Sequence, residues 1–317
     1  RQGGGAVLRI VATRWDGGTQ PLHALTVALD GDTKVPADSL TVTCPFDEVL
    51  RQDTAKIEAF DGERQVFVGK PDQIVTEKRA QGAILRFTAR SPAAFLLDSE
   101  AEPITYFQPT VGLMEGRHLA PFGIRVMTKD NVPCYHALKI DKGMSHWQVL
   151  QSFCRNRFAC EPRITGDGRA YLKGEPEDGE VLFSDTGSVR YFALTEYQKP
   201  HRLLSQIRLK FEQANAYRAV IENTSPAARG AHCVRYVNAA SDKTTLATAE
   251  KMLENSNRSS YALRLRCLGC QSSALGKRAA VQDSVLGTVD GLLVRQVSYT
   301  ADSRGERSVI VLEKEKC

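Results

Sequence analysis

The residues that could do chemistry at short spacing are cysteines and glycines near the C-terminal third. Cys267-Leu268-Gly269-Cys270 is a Cys-x-x-Cys pair. A structural zinc needs four ligands in tetrahedral geometry. No second such pair exists, and the nearest histidine, His232, lies 35 residues away. A redox pair should open a helix, whose free N–H groups lower the thiol pKa. Here Leu263, Leu265 and Cys267 alternate with Arg264 and Arg266, which predicts a strand ending at the pair. Strand-end packing or a tight turn is the main reading, with a zinc- or redox-active module using Cys267 and Cys270 as the alternative. Gly269 to Gly276-Lys277 is no phosphate loop. Six residues separate the glycines where four are required, and Arg278 stands where Ser or Thr is needed.

Other chemistry is equally unsupported. No Gly-x-Ser-x-Gly and no His-Glu-x-x-His is present. Asp98, Glu100 and Glu102 read as a solvated acidic loop. Trp147 recurs with Leu150 and Phe153 at helical spacing and reads as core. Arg264, Arg266 and Arg278 read as a solvated strand face or a charged rim at a subunit contact. Asn223-Thr224-Ser225 and Asn257-Arg258-Ser259 fit the glycosylation pattern by chance. Trp15, Tyr106 and Tyr135 are the aromatics outside clear elements, and the only candidates for a glycan- or host-surface module. No catalytic, cofactor-binding or metal-ligating residue is expected.

Composition agrees. The 317 residues are 42% hydrophobic and 25% charged, which is globular and suggests two or three domains. A net charge of +5 over this length is too weak for specific nucleic-acid binding. No run approaches the ~20 apolar residues of a membrane helix, so no membrane insertion is expected. Six of the eight cysteines are widely spaced in apolar contexts, which suits a reduced compartment. The opening Arg1-Gln2-Gly3-Gly4-Gly5 leaves a trimmed N-terminus open.

The elements follow from hydrophobic period. Leu40, Val42 and Cys44 alternate with threonines, and Ala83, Leu85, Phe87 and Ala89 alternate with polar residues, as half-buried strands do. Asp61-Gly62 predicts a hairpin and Asp30-Gly31 a turn. Ser91-Pro92 predicts a helix over Ala93–Leu97, with Ser91 as its cap. A helix is predicted over Thr110–Leu119, stopped by Pro121. Ser145 and Gln148 form a capping box ahead of a helix over 146–158. Gly166-Asp167-Gly168 predicts a second hairpin. Beyond 184 the alternation of Ser205–Phe211, Tyr217–Ile221 and Leu263–Cys267 returns the chain to strands. One helix over 245–255 interrupts them, with Leu246, Ala249 and Leu253 on one face. The fold class is mainly β with an α+β insert. The expected domains are 1–103, 104–183 and 184–317.

Several stretches resemble a known family. Arg90-Ser91-Pro92-Ala93-Ala94-Phe95-Leu96-Leu97 with Asp98–Pro103 resembles the segment closing the first domain of phage baseplate hub proteins (late control protein D-like). That family includes the hubs of contractile prophages and phage-tail-like bacteriocins. Leu119–Ile124 is similar to its helix-then-Pro-x-Gly-Ile element, Gly143–Cys154 to its central capped helix and Gly166–Leu172 to the following hairpin. Arg235–Asn238, the 245–255 helix and Ser259–Tyr261 are similar to parts of its third domain. The resemblance spans about residues 35 to 312. It implies two tail-tube-like β-barrel domains flanking a small α+β domain, and a homotrimeric, pseudo-hexameric ring that adapts the six-fold tail tube to the three-fold spike. Implied partners are the tail tube ring, the central spike and a LysM-containing baseplate or tube-initiator protein. The implied place is the baseplate of a virion or phage-tail-like particle, assembled in the host bacterial cytoplasm. No lysozyme-like insert interrupts the chain, so the resemblance carries no cell-wall cleavage.

Overall fold

The computed structural model describes residues 8–80, 82–174, 177–187, 189–238 and 242–315. The opening Arg1–Gly5 and Cys317 lie outside the described residues. The chain forms two compact units. One comprises Arg1–Glu177, Leu268–Gly276 and Gln296–Val309, and the other Asp178–Cys267, Lys277–Arg295 and Ile310–Cys317.

In the first unit, strands Arg9–Arg14, Thr26–Asp32, Ser39–Pro45, Thr54–Asp61, Arg64–Arg79 and Gly82–Arg90 build a curved antiparallel sheet. Residues 296–301 pair onto Thr26–Asp32. The 16-residue strand Arg64–Arg79 turns the sheet. Its first half pairs with Thr54–Asp61 and its second half with Gly82–Arg90, with a register shift between Pro71 and Gln73. A bulge at proline bends a strand because one ladder bond is missing. At the bend Gly69 is required, since a Cβ there would stand 2.4 Å from the Arg90 carbonyl oxygen. The sheet wraps one core in which Ile57, Ala59 and Phe67 meet Leu40, Val42, Leu85 and Phe87. The alternation read from sequence is borne out: Leu40, Val42 and Cys44 are all buried. A six-residue helix, α1 (Glu48–Asp53), is capped by the Asp47 carboxylate.

The hairpin expected at Asp61-Gly62 forms with its loop one residue further on, and one turn expectation needs correction. Asp61 and Arg64 pair directly, so the tight loop is Gly62-Glu63, with Gly62 at φ +60°. Asp30-Gly31 is no turn, because the strand Thr26–Asp32 runs through it and pairs with Val297 and Ser298. Its glycine serves close approach instead. A Cβ on Gly31 would stand 2.5 Å from Leu275 Cδ2.

The same unit holds a second core around residues 93–172. Helix α2 (Ala93–Asp98) begins as expected, but Ser91 does not cap it. The Ser91 hydroxyl instead accepts the Asp38 N–H at 3.1 Å, and the Ser91 N–H donates to the Asp38 carbonyl at 2.9 Å. The stretch 110–119 splits into α3 (Val111–Met114) and a π-helical turn, Glu115–Leu119. Pro121 then sits inside a 3-10 turn, Ala120–Phe122, ended by left-handed Gly123. Helix α4 (His146–Phe158) has the bounds and the complete capping box read from sequence. Trp147, Leu150 and Phe153 are buried on its inner face. The hairpin of Arg163–Ile164 and Arg169–Tyr171 forms around Gly166–Gly168, with Gly168 at φ +81°.

In the second unit six strand segments close on themselves. Lys277–Asp283, Glu177–Ser184, Val189–Gln198, Tyr261–Leu268, the end of Gly305–Lys314 and the start of Gly287–Asp302 are neighbours in that order, and the last pairs back onto the first. The circuit is narrowest where Glu177–Ser184 meets Val189–Gln198, through the parallel pairs Phe183–Val189 and Ser184–Arg190. Beside them, Leu204–Leu209 pairs antiparallel with Ala219–Glu222 and parallel with Cys233–Val237. Helix α5 (Asp242–Ser259) covers this small sheet, burying Ala249 and Leu253 against Ile207 and Leu209. Leu246 is 40% exposed and does not share that buried face. The architecture is mainly β with an α+β insert, as the sequence predicts.

Candidate functional site

The Cys-x-x-Cys pair falls at a strand end followed by a turn, with Gly269 at φ +72°. Cys267 is fully buried, and burial pushes its thiol up to about 11. Burial also raises the Cys270 thiol, whose Sγ lies 3.0 Å from Ser272 Oγ. Both shifts disfavour the thiolate that metal binding and redox chemistry need. Among the described residues, no group of three or more His, Cys, Asp or Glu is placed to hold a metal, and the seven described cysteines are free thiols. The zinc- or redox-active alternative finds no support. Lys277 starts a strand, whereas a phosphate loop would start a helix there.

The remaining sequence candidates scatter. Asp98 pairs with Arg90 at 2.6 Å, and Glu100 accepts the Gly143 N–H. Arg278 pairs with Glu315 at 3.0 Å, and Arg264 and Arg266 are exposed on the outer side of their strand. The two glycosylation-pattern asparagines have an unforeseen partner, namely each other. Asn223 Nδ2 donates to Asn257 Oδ1 at 2.7 Å, and Asn257 Nδ2 to Asn223 Oδ1 at 3.1 Å. Trp15 and Tyr135 are well exposed, whereas Tyr106 is half-buried.

The first unit carries an open groove of about 400 Å³ lined by Leu8, Ile10, Pro21, Leu22, His23 and Pro45. Its lining is mostly apolar and lacks the convergent polar groups of a catalytic pocket.

Two buried polar clusters had no periodic signal in the sequence. Tyr106 Oη lies 3.3 Å from His118 Nε2, and His118 Nδ1 lies 2.9 Å from His146 Nδ1. His146 opens α4, and Phe122 and His118 meet its ring edge-on at 5.0 Å. Burial, the His146 ring and Arg117 hold His118 down to about 4. The second cluster centres on Asp38, 7% exposed, beside a cavity of about 30 Å³. Glycines at 31 and 166 were the one available hint to it. Neither cluster arranges a nucleophile against a base over an open pocket.

The chain combines a closed barrel unit with a curved-sheet unit that carries a helical insert, and its fold is similar to that of solved phage tail proteins. A tail protein from Neisseria meningitidis MC58 matches with a TM-score of 0.74 at 16% identity, over 98% of this chain and 97% of that one. The 43 kDa tail protein of prophage MuSo2 from Shewanella oneidensis matches with a TM-score of 0.77 at 13% identity, over 97% and 98%. The E. coli c3393 protein, a type VI secretion component with structural similarity to T4 tail proteins gp27 and gp5, matches at 0.53 and 12% identity, over 92% and 73%. No protein-family model and no curated protein matches the chain.

Proposed function

We propose that this chain is a structural baseplate hub of a phage or phage-tail-like particle, and not an enzyme. The observation that carries the reading is the end-to-end likeness to two tail proteins, over 97–98% of both partners' lengths. The hub resemblance in the sequence points the same way. In this reading residues 1–103 and 184–317 are the two tube-like domains and 104–183 is the insert. Three chains then present six barrels, matching a six-fold tail tube on one face and a three-fold spike on the other. The homotrimer, the tube ring, the spike and a LysM-containing neighbour are the partners this role requires. An obligate ring of this kind buries more than ~2,000 Å² per interface. Among the described residues no helix is long and apolar enough to cross a membrane. The reading needs none, since the hub sits in the baseplate of an assembled particle.

Negative-stain microscopy of the purified chain tests the proposal. Rings with three-fold symmetry and a central channel support it. Fields of isolated single chains at every concentration overturn it.

A further inference from the structure

Asp38 lies where the first sheet of the first unit meets the insert. We propose that its carboxyl group is a proton-operated latch: in its neutral form it seats the 163–169 hairpin against the strand Arg64–Arg79, and losing the proton loosens that seat.

The seat is built for a carboxyl group. A Cβ on Gly166 would stand 2.7 Å from Asp38 Oδ2 and 2.9 Å from the Val66 carbonyl oxygen. A Cβ on Gly31 would stand 3.2 Å from Asp38 Oδ1. Glycines from two separate elements therefore leave room on both sides of one carboxyl. The Asp32 N–H donates to it, and Ser91 fixes its backbone at both N–H and carbonyl. The hairpin docks at the same point, where the Val68 N–H donates to the Gly166 carbonyl at 2.9 Å. Deprotonation places a charge on a carboxyl group only 7% exposed, which is unfavourable unless the charge is fully compensated.

The charged groups facing Asp38 offset its burial only in part. Arg163 of the hairpin favours the charged form, while Asp167 of the hairpin and Asp32 of the preceding strand oppose it. Arg64 and Arg169 line the adjoining cavity. Burial dominates and pushes the carboxyl up to about 7. A free aspartate titrates at ~3.9. The folded form thus holds its proton to higher pH than the opened form. The latch is tightest below about pH 4, weakens as pH rises toward 7, and is level above that.

The test is amide exchange at Val68 in the full chain, corrected for intrinsic exchange, in wild type and Asp38→Asn. Asparagine keeps the shape and cannot ionise. The expected result is protection in wild type that falls up to tenfold per pH unit between pH 5 and 7, and flat protection in the variant. A slope shared by both proteins, or absent from both, overturns the proposal. Should Asp38→Asn fail to fold, the wild-type Asp38 carboxyl is titrated by carbon-13 resonance. A midpoint above 6 supports the latch, and one at or below 6 overturns it.

Discussion

His118 Nδ1 and His146 Nδ1 face each other at 2.9 Å, so the contact holds one proton and forbids two. His118 is 2% exposed, and His146 sits at the positive end of α4. Both surroundings favour neutral rings. The folded pKa of His118 lies below its ordinary value, so the stability it contributes is full above ~6.5 and is lost as pH falls through about 4. At pH 7, His118→Leu leaves Tyr106 Oη and His146 Nδ1 without this partner, costing about 1–3 kcal/mol. Denaturant unfolding should show that penalty shrinking between pH 7 and pH 4.5. A penalty constant across that window contradicts the pairing. Asp38 acts with opposite sign over the same range, so only the difference between wild type and variant isolates the histidines.

The capping box of α4 offers a second check. Ser145 Oγ accepts the Gln148 N–H, and Gln148 Oε1 accepts the Ser145 N–H at 2.8 Å. Ser145→Ala should destabilise the protein by about 1 kcal/mol in thermal unfolding, while Ser145→Asp should restore most of the loss. No difference between the alanine and aspartate variants would argue against the cap.

Much of this was legible in the sequence because hydrophobic period and caps act locally. Leu40–Cys44, Ala83–Ala89, the α4 bounds and the Gly166–Gly168 hairpin all rest on neighbours a few residues apart. The misread features rest on distant partners. Asp30-Gly31 has turn composition, yet Leu275 packs on the glycine and residues 296–301 pair alongside. Ser91 has cap composition, yet Asp38 claims its hydroxyl across 53 residues. The histidine pair spans 28 residues and the Asn223–Asn257 pair 34, and neither leaves a periodic trace.

That asparagine pair should behave as one unit. Each side chain is donor and acceptor to the other. Asn223→Ala and Asn257→Ala should each cost about 1–3 kcal/mol, because the first leaves the buried Asn257 amide and the second the half-buried Asn223 amide without this partner. The double variant should cost less than their sum by at least 0.5 kcal/mol in a double-mutant cycle. Strict additivity would mean the two amides do not interact.

Core packing of the first unit makes the largest prediction. Phe87 is fully buried among residues from both halves of the curved sheet. Phe87→Ala should cost about 3–5 kcal/mol in urea unfolding. Exposed Trp15→Ala should stay within about 0.5 kcal/mol of wild type. Equal effects at the two sites would contradict this placement of the core.

The most direct test of the hub reading is the mass of the purified chain in solution, by size-exclusion chromatography with light scattering. A trimeric hub gives a concentration-stable species near 105 kDa, three times the 34.9 kDa chain. A single 34.9 kDa species persisting at high concentration would contradict it.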